Sequence, residues 1–212
     1  IVACVVLTGT NRSELVPEVW KHATVGLDEA DKTHLTRRLR DAIFKGGVLT
    51  GYSRAINSLM ELNGTLPENL RASNFGSERG LDWPKGSNAA PTLDEVAEHG
   101  RKYFFELYGD TAVPVQNTLD SIHPDMGFFS STLAYGLVYG GAWHLLNMPE
   151  TSFVLVAALI AVDTPRQVGW HLANTRRLGV PLAQARAVRE MAIQVARAAG
   201  VTWRESVPEV PD

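Results

Sequence analysis

Apolar residues recur along this chain at intervals of three and four. Leu35, Leu39, Ala42 and Ile43 form one such stripe, and Val188, Met191, Ala192 and Val195 form another. That spacing lays side chains along one face of an α-helix. No stretch sustains the apolar–polar alternation of a strand flanked by turn residues, so the pattern predicts an all-α fold. The longest apolar run, Phe153 to Val162, has ten residues and ends at Asp163. It suits a buried helix and is too short to span a bilayer.

Turn and cap residues divide the pattern. From Asn63 to Pro91 the composition shifts to Gly, Pro, Asn and Ser, which predicts a connector over 63–91 between a segment 1–62 and a segment 92–212. Thr92 followed by Glu95 reads as a capping box opening a helix, and Gly109 as its stop. Pro149, Glu150 and Thr151 open the helix that carries the apolar run. Gly46-Gly47 and Gly140-Gly141 read as helix ends, since no phosphate-cradling glycine pattern surrounds them.

The two segments also repeat. "EVWKH" (18–22) and "QVGWH" (167–171) share Glu/Gln-Val-x-x-His with a tryptophan between. After a four-residue difference in spacing, Gly26-Leu27 aligns with Gly179-Val180, and Gly47-Val48 with Gly200-Val201. The shared interval between glycines predicts two related helical repeats.

Charge and cysteine content narrow the chemistry. A net charge of −3 gives no electrostatic footprint for nucleic acid or an anionic membrane. The single cysteine, Cys4, excludes an internal disulfide framework and a Cys-x-x-Cys centre. In "IVACVVL" it reads as packed core, and its solitude points to an intracellular, soluble protein. Cytosol and organelle matrix (mitochondrion or peroxisome) are not distinguished, and because residue 1 is Ile1 a preceding leader is left open. Asn11 and Asn63 head glycosylation sequons that chance explains better than secretion. The six histidines lack metal-ligand spacing, so no metal and no cofactor is expected.

At these residues the chain resembles the carboxymuconolactone decarboxylase family, within the alkylhydroperoxidase D-like (AhpD-like) superfamily. "HGRKYFFELYG" (99–109), "HPDMGFFSSTLAYG" (123–136) and "MPETSFVLVAALIAVDTPRQVGWHLANTRRLGV" (148–180) follow that family's order of motifs. "IFKGGVLTGYSRAINSLMEL" (43–62) is similar to the segment that closes one such domain. The resemblance implies an AhpD-like helical bundle with a truncated first repeat, 1–62, and a fuller domain, 92–212. It also implies a homo-oligomer, a dimer or trimer.

The departures from that family bear on function. Thr164 and Gln167 stand where its peroxidase branch has cysteines, so thiol peroxidase chemistry is excluded. Ser152 stands where the proton-feeding glutamate would be, with Glu150 an offset substitute. The resemblance then implies a cofactor-independent lyase or isomerase acting on a small carboxylated lactone or β-keto acid. His171 is its catalytic proton shuttle, and Gln167, one turn earlier on the same face, orients the substrate. Trp170, Tyr135, Tyr139 and Ser152 are the candidate substrate-binding residues, and His22 with Glu18 is the candidate pair of the other repeat. Each has a plainer reading: a packed histidine, an aromatic core stripe, an exposed i,i+4 pair. Arg176 and Arg177 read as carboxylate clamps or as solvated helix-terminal charges. The competing function is an inactive ligand-binding or scaffold protein that keeps the helical fold, and a histidine sealed in a helix contact would favour it.

Overall fold

A computed structural model describes residues 1–79 and 90–212. All regular structure among them is helical. The helices are α1 (Val2–Gly9), α2 (Val16–Ala23), α3 (Glu29–Thr50), α4 (Tyr52–Thr65), α5 (Leu93–Tyr108) and α6 (Ala112–Ile122). A single turn, α7 (Met126–Phe128), runs into a π-helix, Phe129–Tyr139. Then come α8 (Met148–Ala161), α9 (Pro165–Arg177) and α10 (Leu182–Ala198).

Contacts group residues 1–74 with 145–212 in one compact unit and residues 75–144 in another. This division differs from the expected 1–62, 63–91 and 92–212. Leu66 and Leu70, placed by composition in the connector, are buried in the first unit's core. Arg40 of α3 bonds the Leu70 carbonyl, which anchors that stretch. Residues 80–89 of the expected connector lie outside the described residues.

In the first unit the apolar helices α1 and α8 pack on each other. Each also packs on both α3 and α10. The contacts of α2 and α9 differ, since α9 packs on α8 and α10 but α2 on α1 and α4. Gly26 (φ +77°) and Gly179 (φ +80°), aligned in the sequence, both take the left-handed conformation open to glycine. The expected pairing of Gly47 with Gly200 does not hold. Gly200 follows α10 with φ +92°, whereas Gly46 and Gly47 lie inside α3, which runs on to Gly51 at φ +92°. They are small because neighbours crowd them: a Cβ on Gly46 would meet Val5 at 3.1 Å, and one on Gly47 the Tyr52 ring at 2.8 Å.

The α8 run is buried over almost its whole length, as its unbroken apolar sequence requires. Its N-cap is Asn147, which exchanges hydrogen bonds with Glu150 in a capping box. Of the α10 stripe, Ala192 is buried, but Met191 is exposed, and Ala185, Ile193 and Ala196 complete the inward face.

The second unit is built on α5 and the π-helix. Thr92 and Glu95 form the expected capping box, and Gly109 ends α5 at φ +52°. Gly100 and Gly136 let the two backbones touch, so that a Cβ on Gly100 would lie 2.8 Å from the Gly136 backbone. Around this contact Tyr103, Phe104, Tyr108, Tyr135 and Tyr139 form a buried aromatic cluster. Gly140 caps the π-helix, as its reading as a helix end anticipated.

Candidate functional site

Helix α9 packs on α8 and α10. Its inward side carries Val168, Leu172 and Thr175, and beside them runs a polar stripe, Gln167, His171 and Asn174, at i, i+4 and i+7. Gln167 is half-buried and Trp170 exposed, while His171 and Asn174 are buried. His171 retains 5% of its surface. Burial withdraws the imidazole from water and lowers its pKa from 6.5 to about 4, so it is neutral at physiological pH. The Asn174 carboxamide oxygen accepts from Arg177 at 2.7 Å. Its nitrogen is buried with no hydrogen-bond partner among the described residues.

The first turn of α8 faces this stripe and α3 with three consecutive polar residues. Glu150 bonds Arg38, whose Nε also donates to the Leu145 carbonyl at 3.0 Å. Thr151 accepts from Lys45 Nζ at 3.1 Å. The Ser152 hydroxyl donates to the Pro149 carbonyl at 2.7 Å and lies 3.0 Å from Thr175 Oγ1. Thr175 in turn bonds the His171 carbonyl at 2.7 Å. Lys45 and Asp41, one turn apart on α3, form an ion pair of 3.1 Å with side chains 0% and 1% exposed. Lys45 also donates to the Leu146 carbonyl at 3.4 Å. The result is a polar seam in the apolar core made of two sets of contacts, α3 to α8 through Lys45 and Thr151, and α8 to α9 through Ser152 and Thr175.

The candidates read from the sequence divide among these surroundings. Ser152 and the His171 helix are brought together through Thr175. Glu150, the offset acid, is engaged by Arg38 and the cap of its own helix. Tyr135 and Tyr139 belong to the other compact unit, where they are core; the hydroxyls of Tyr135 and Tyr108 are 3.0 Å apart, and burial raises the Tyr135 phenol well above its usual value. Glu18 pairs with Lys21 at 2.8 Å and His22 is exposed near the end of α2, on the side of the helix away from the buried Trp20. Arg177 holds Asn174, and Arg176 donates to the Val180 carbonyl at the turn. Cys4 is fully buried, and burial pushes its thiol up, away from reactivity. Among the described residues no three His, Cys, Asp or Glu side chains gather as metal ligands.

Asp41, Lys45, Thr151 and Asn174 were missed by sequence reasoning. Lys45 carried no signal in the sequence, since at 100° per residue it lies roughly 110° around α3 from the stripe of Leu39, Ala42 and Ile43.

No protein-family model matches the chain, and no solved structure matches it. It is similar to Peroxisomal protein 2 of Saccharomyces cerevisiae, with 28% identity over 186 residues, covering 82% of this chain and 65% of the relative. It is likewise similar to Peroxisomal protein 2 of Schizosaccharomyces pombe, with 25% identity over 207 residues, covering 98% of this chain and 89% of the relative. The chain thus spans just under two thirds of the length of the Saccharomyces cerevisiae relative. No described helix is long and apolar enough to cross a membrane.

Proposed function

We propose, from the likeness to two proteins named as peroxisomal, that this chain is a peroxisomal helical protein of the carboxymuconolactone decarboxylase type that serves as a self-assembling scaffold or ligand-binding protein. The observation that carries this reading is the packing of His171. The imidazole is withdrawn from solvent and held neutral, and the Ser152 hydroxyl, where a proton-feeding acid would stand, is engaged by Thr175 and Pro149. A proton shuttle needs a group that exchanges protons near the working pH, and an imidazole whose pKa burial lowers to about 4 does not do so.

A second reading, the cofactor-independent lyase, is favoured by the seam itself. A buried Asn174 donor without a partner and a buried ion pair are costly in a core that exists only to pack. A substrate carboxylate admitted beside His171 would raise the imidazole pKa and let it take up the proton that the enolate later receives.

The experiment compares wild type, His171→Ala and His171→Gln for thermal stability and for carbon dioxide release from carboxylated lactones and β-keto acids. The scaffold reading expects no release by any of the three, a lowered melting temperature for Ala and its partial recovery in Gln. Turnover by wild type that falls by two or more powers of ten in both variants, with the fold intact, overturns it in favour of the lyase.

A further inference from the structure

The second compact unit contains a groove of about 450 Å³ walled by α5, Gln116 of α6 and the π-helix. A volume of that order suits a small organic molecule. Along α5 the wall runs from Asp94 through Ala97, Glu98 and Arg101 to Phe104 and Phe105, a spacing that keeps to one helix face. Eleven residues at 1.5 Å each make this wall about 16 Å long. It is acidic where α5 begins and aromatic at its far end, where Phe105 leaves 45% of its surface open. Ser131 and Thr132 of the π-helix supply the facing wall, and Gly100 of α5 packs on the Ser131 carbonyl about halfway along. Stretches of π-helix are rare and recur at functional sites.

Two features of the lining point to a ligand and to its chemistry. Thr132 retains 3% of its surface, yet it lines the groove and its hydroxyl has no hydrogen-bond partner among the described residues. A polar group buried that far is ordinarily satisfied. The donors of the wall, in contrast, are engaged within the protein. Arg101 pairs with Glu98 at 3.0 Å, Gln116 donates to the Asp120 carboxylate at 3.0 Å, and Ser131 donates to the Gly127 carbonyl at 2.8 Å. What is left over accepts: the Asp94 carboxylate has no ion-pair partner among the described residues, and the Thr132 hydroxyl takes either role. Residues 93–129 as a whole hold seven acidic side chains against Arg101 and Lys102, a field that draws cations.

We infer that this groove binds an elongated organic amine. Its ammonium group faces Asp94, a second N–H near its middle donates to Thr132, and an apolar or aromatic end lies over Phe105. The groove belongs to the unit without His171, so the inference goes beyond the proposed function and its failure leaves that reading untouched.

Calorimetric titration of the full chain with N-benzylhexanediamine, whose ring, secondary amine and terminal ammonium match this order, tests it. Wild type is expected to bind the diamine and to bind N-benzylaminohexanoate, which ends in a carboxylate instead, more weakly. Asp94→Asn should weaken the diamine about threefold, as an exposed ion pair implies. Thr132→Val, which keeps the shape and removes the hydroxyl, should weaken it about fivefold, as one hydrogen bond implies. Ala97→Phe fills the groove and should abolish binding, whereas Glu61→Gln, an exposed carboxylate of α4 in the other unit, should change nothing. No diamine binding by wild type at millimolar concentration, equal binding of the carboxylate, or an equal loss in Glu61→Gln overturns the inference. So does diamine binding that survives unchanged in a folded Ala97→Phe. If that variant fails to fold, the two near-isosteric variants decide, and unchanged affinity in either one overturns the site.

Discussion

Lys45→Met is the perturbation that tests the polar seam most directly. The ammonium group lies 3.1 Å from the Asp41 carboxylate with neither side chain in contact with water. At an effective dielectric constant near 20, two unit charges at that distance attract by about 5 kcal/mol. Taking both ions out of water costs several kcal/mol each, so the pair as a whole is close to neutral for stability. Removing the cation alone is not. It takes away the charge facing Asp41 and the bonds to Thr151 and the Leu146 carbonyl. We expect a loss of about 3–5 kcal/mol, which for a chain of this length lowers the melting temperature by roughly 6–20 °C. Asp41→Leu together with Lys45→Met should cost less than the Lys45 change alone, because no ion is then left in the core. Urea unfolding of wild type, both single variants and the double variant completes the cycle. A Lys45→Met loss below about 1 kcal/mol, or a double variant equal to the sum of the singles, would refute the reasoning.

Two further outcomes follow from burial. The His171 pKa is about 4 when folded against 6.5 unperturbed, so between those values the unfolded chain binds a proton that the folded chain does not. Stability should therefore fall as pH drops from 7 to 4, by about 3 kcal/mol from this group, and His171→Gln should flatten that part of the profile; equal acid sensitivity in both proteins counts against the buried, neutral imidazole. Cys4, with no exposed surface, should resist a thiol reagent in the native protein and react on unfolding in urea, and the protein should not reduce hydroperoxides with a dithiol; rapid native labelling would contradict its packing.

The fold class was legible because helical periodicity is a local property. The stripe at Leu39, Ala42 and Ile43, the Thr92–Glu95 box and the Gly109 stop depend on neighbours within a turn or two, and each stands where the spacing put it. The Gln167–His171 stripe was legible for the same reason. What surrounds that stripe was not, because it depends on which helices meet. "EVWKH" and "QVGWH" read alike, yet His22 lies on the exposed side of α2, while α9 packs against α8 with His171 inside. Lys45 looked like one more helical charge. Only the meeting of α3 with α8 brings it to Thr151 and the Leu146 carbonyl, 101 residues or more along the chain. For Tyr135 and Tyr139 the spacing leaves pocket wall and aromatic core both open, and it is the Gly100–Gly136 contact that draws them into the core. Sequence patterning determined which faces are apolar; tertiary packing decided which polar groups those faces enclose, because burial and long-range hydrogen bonds are made by segments far apart in the chain.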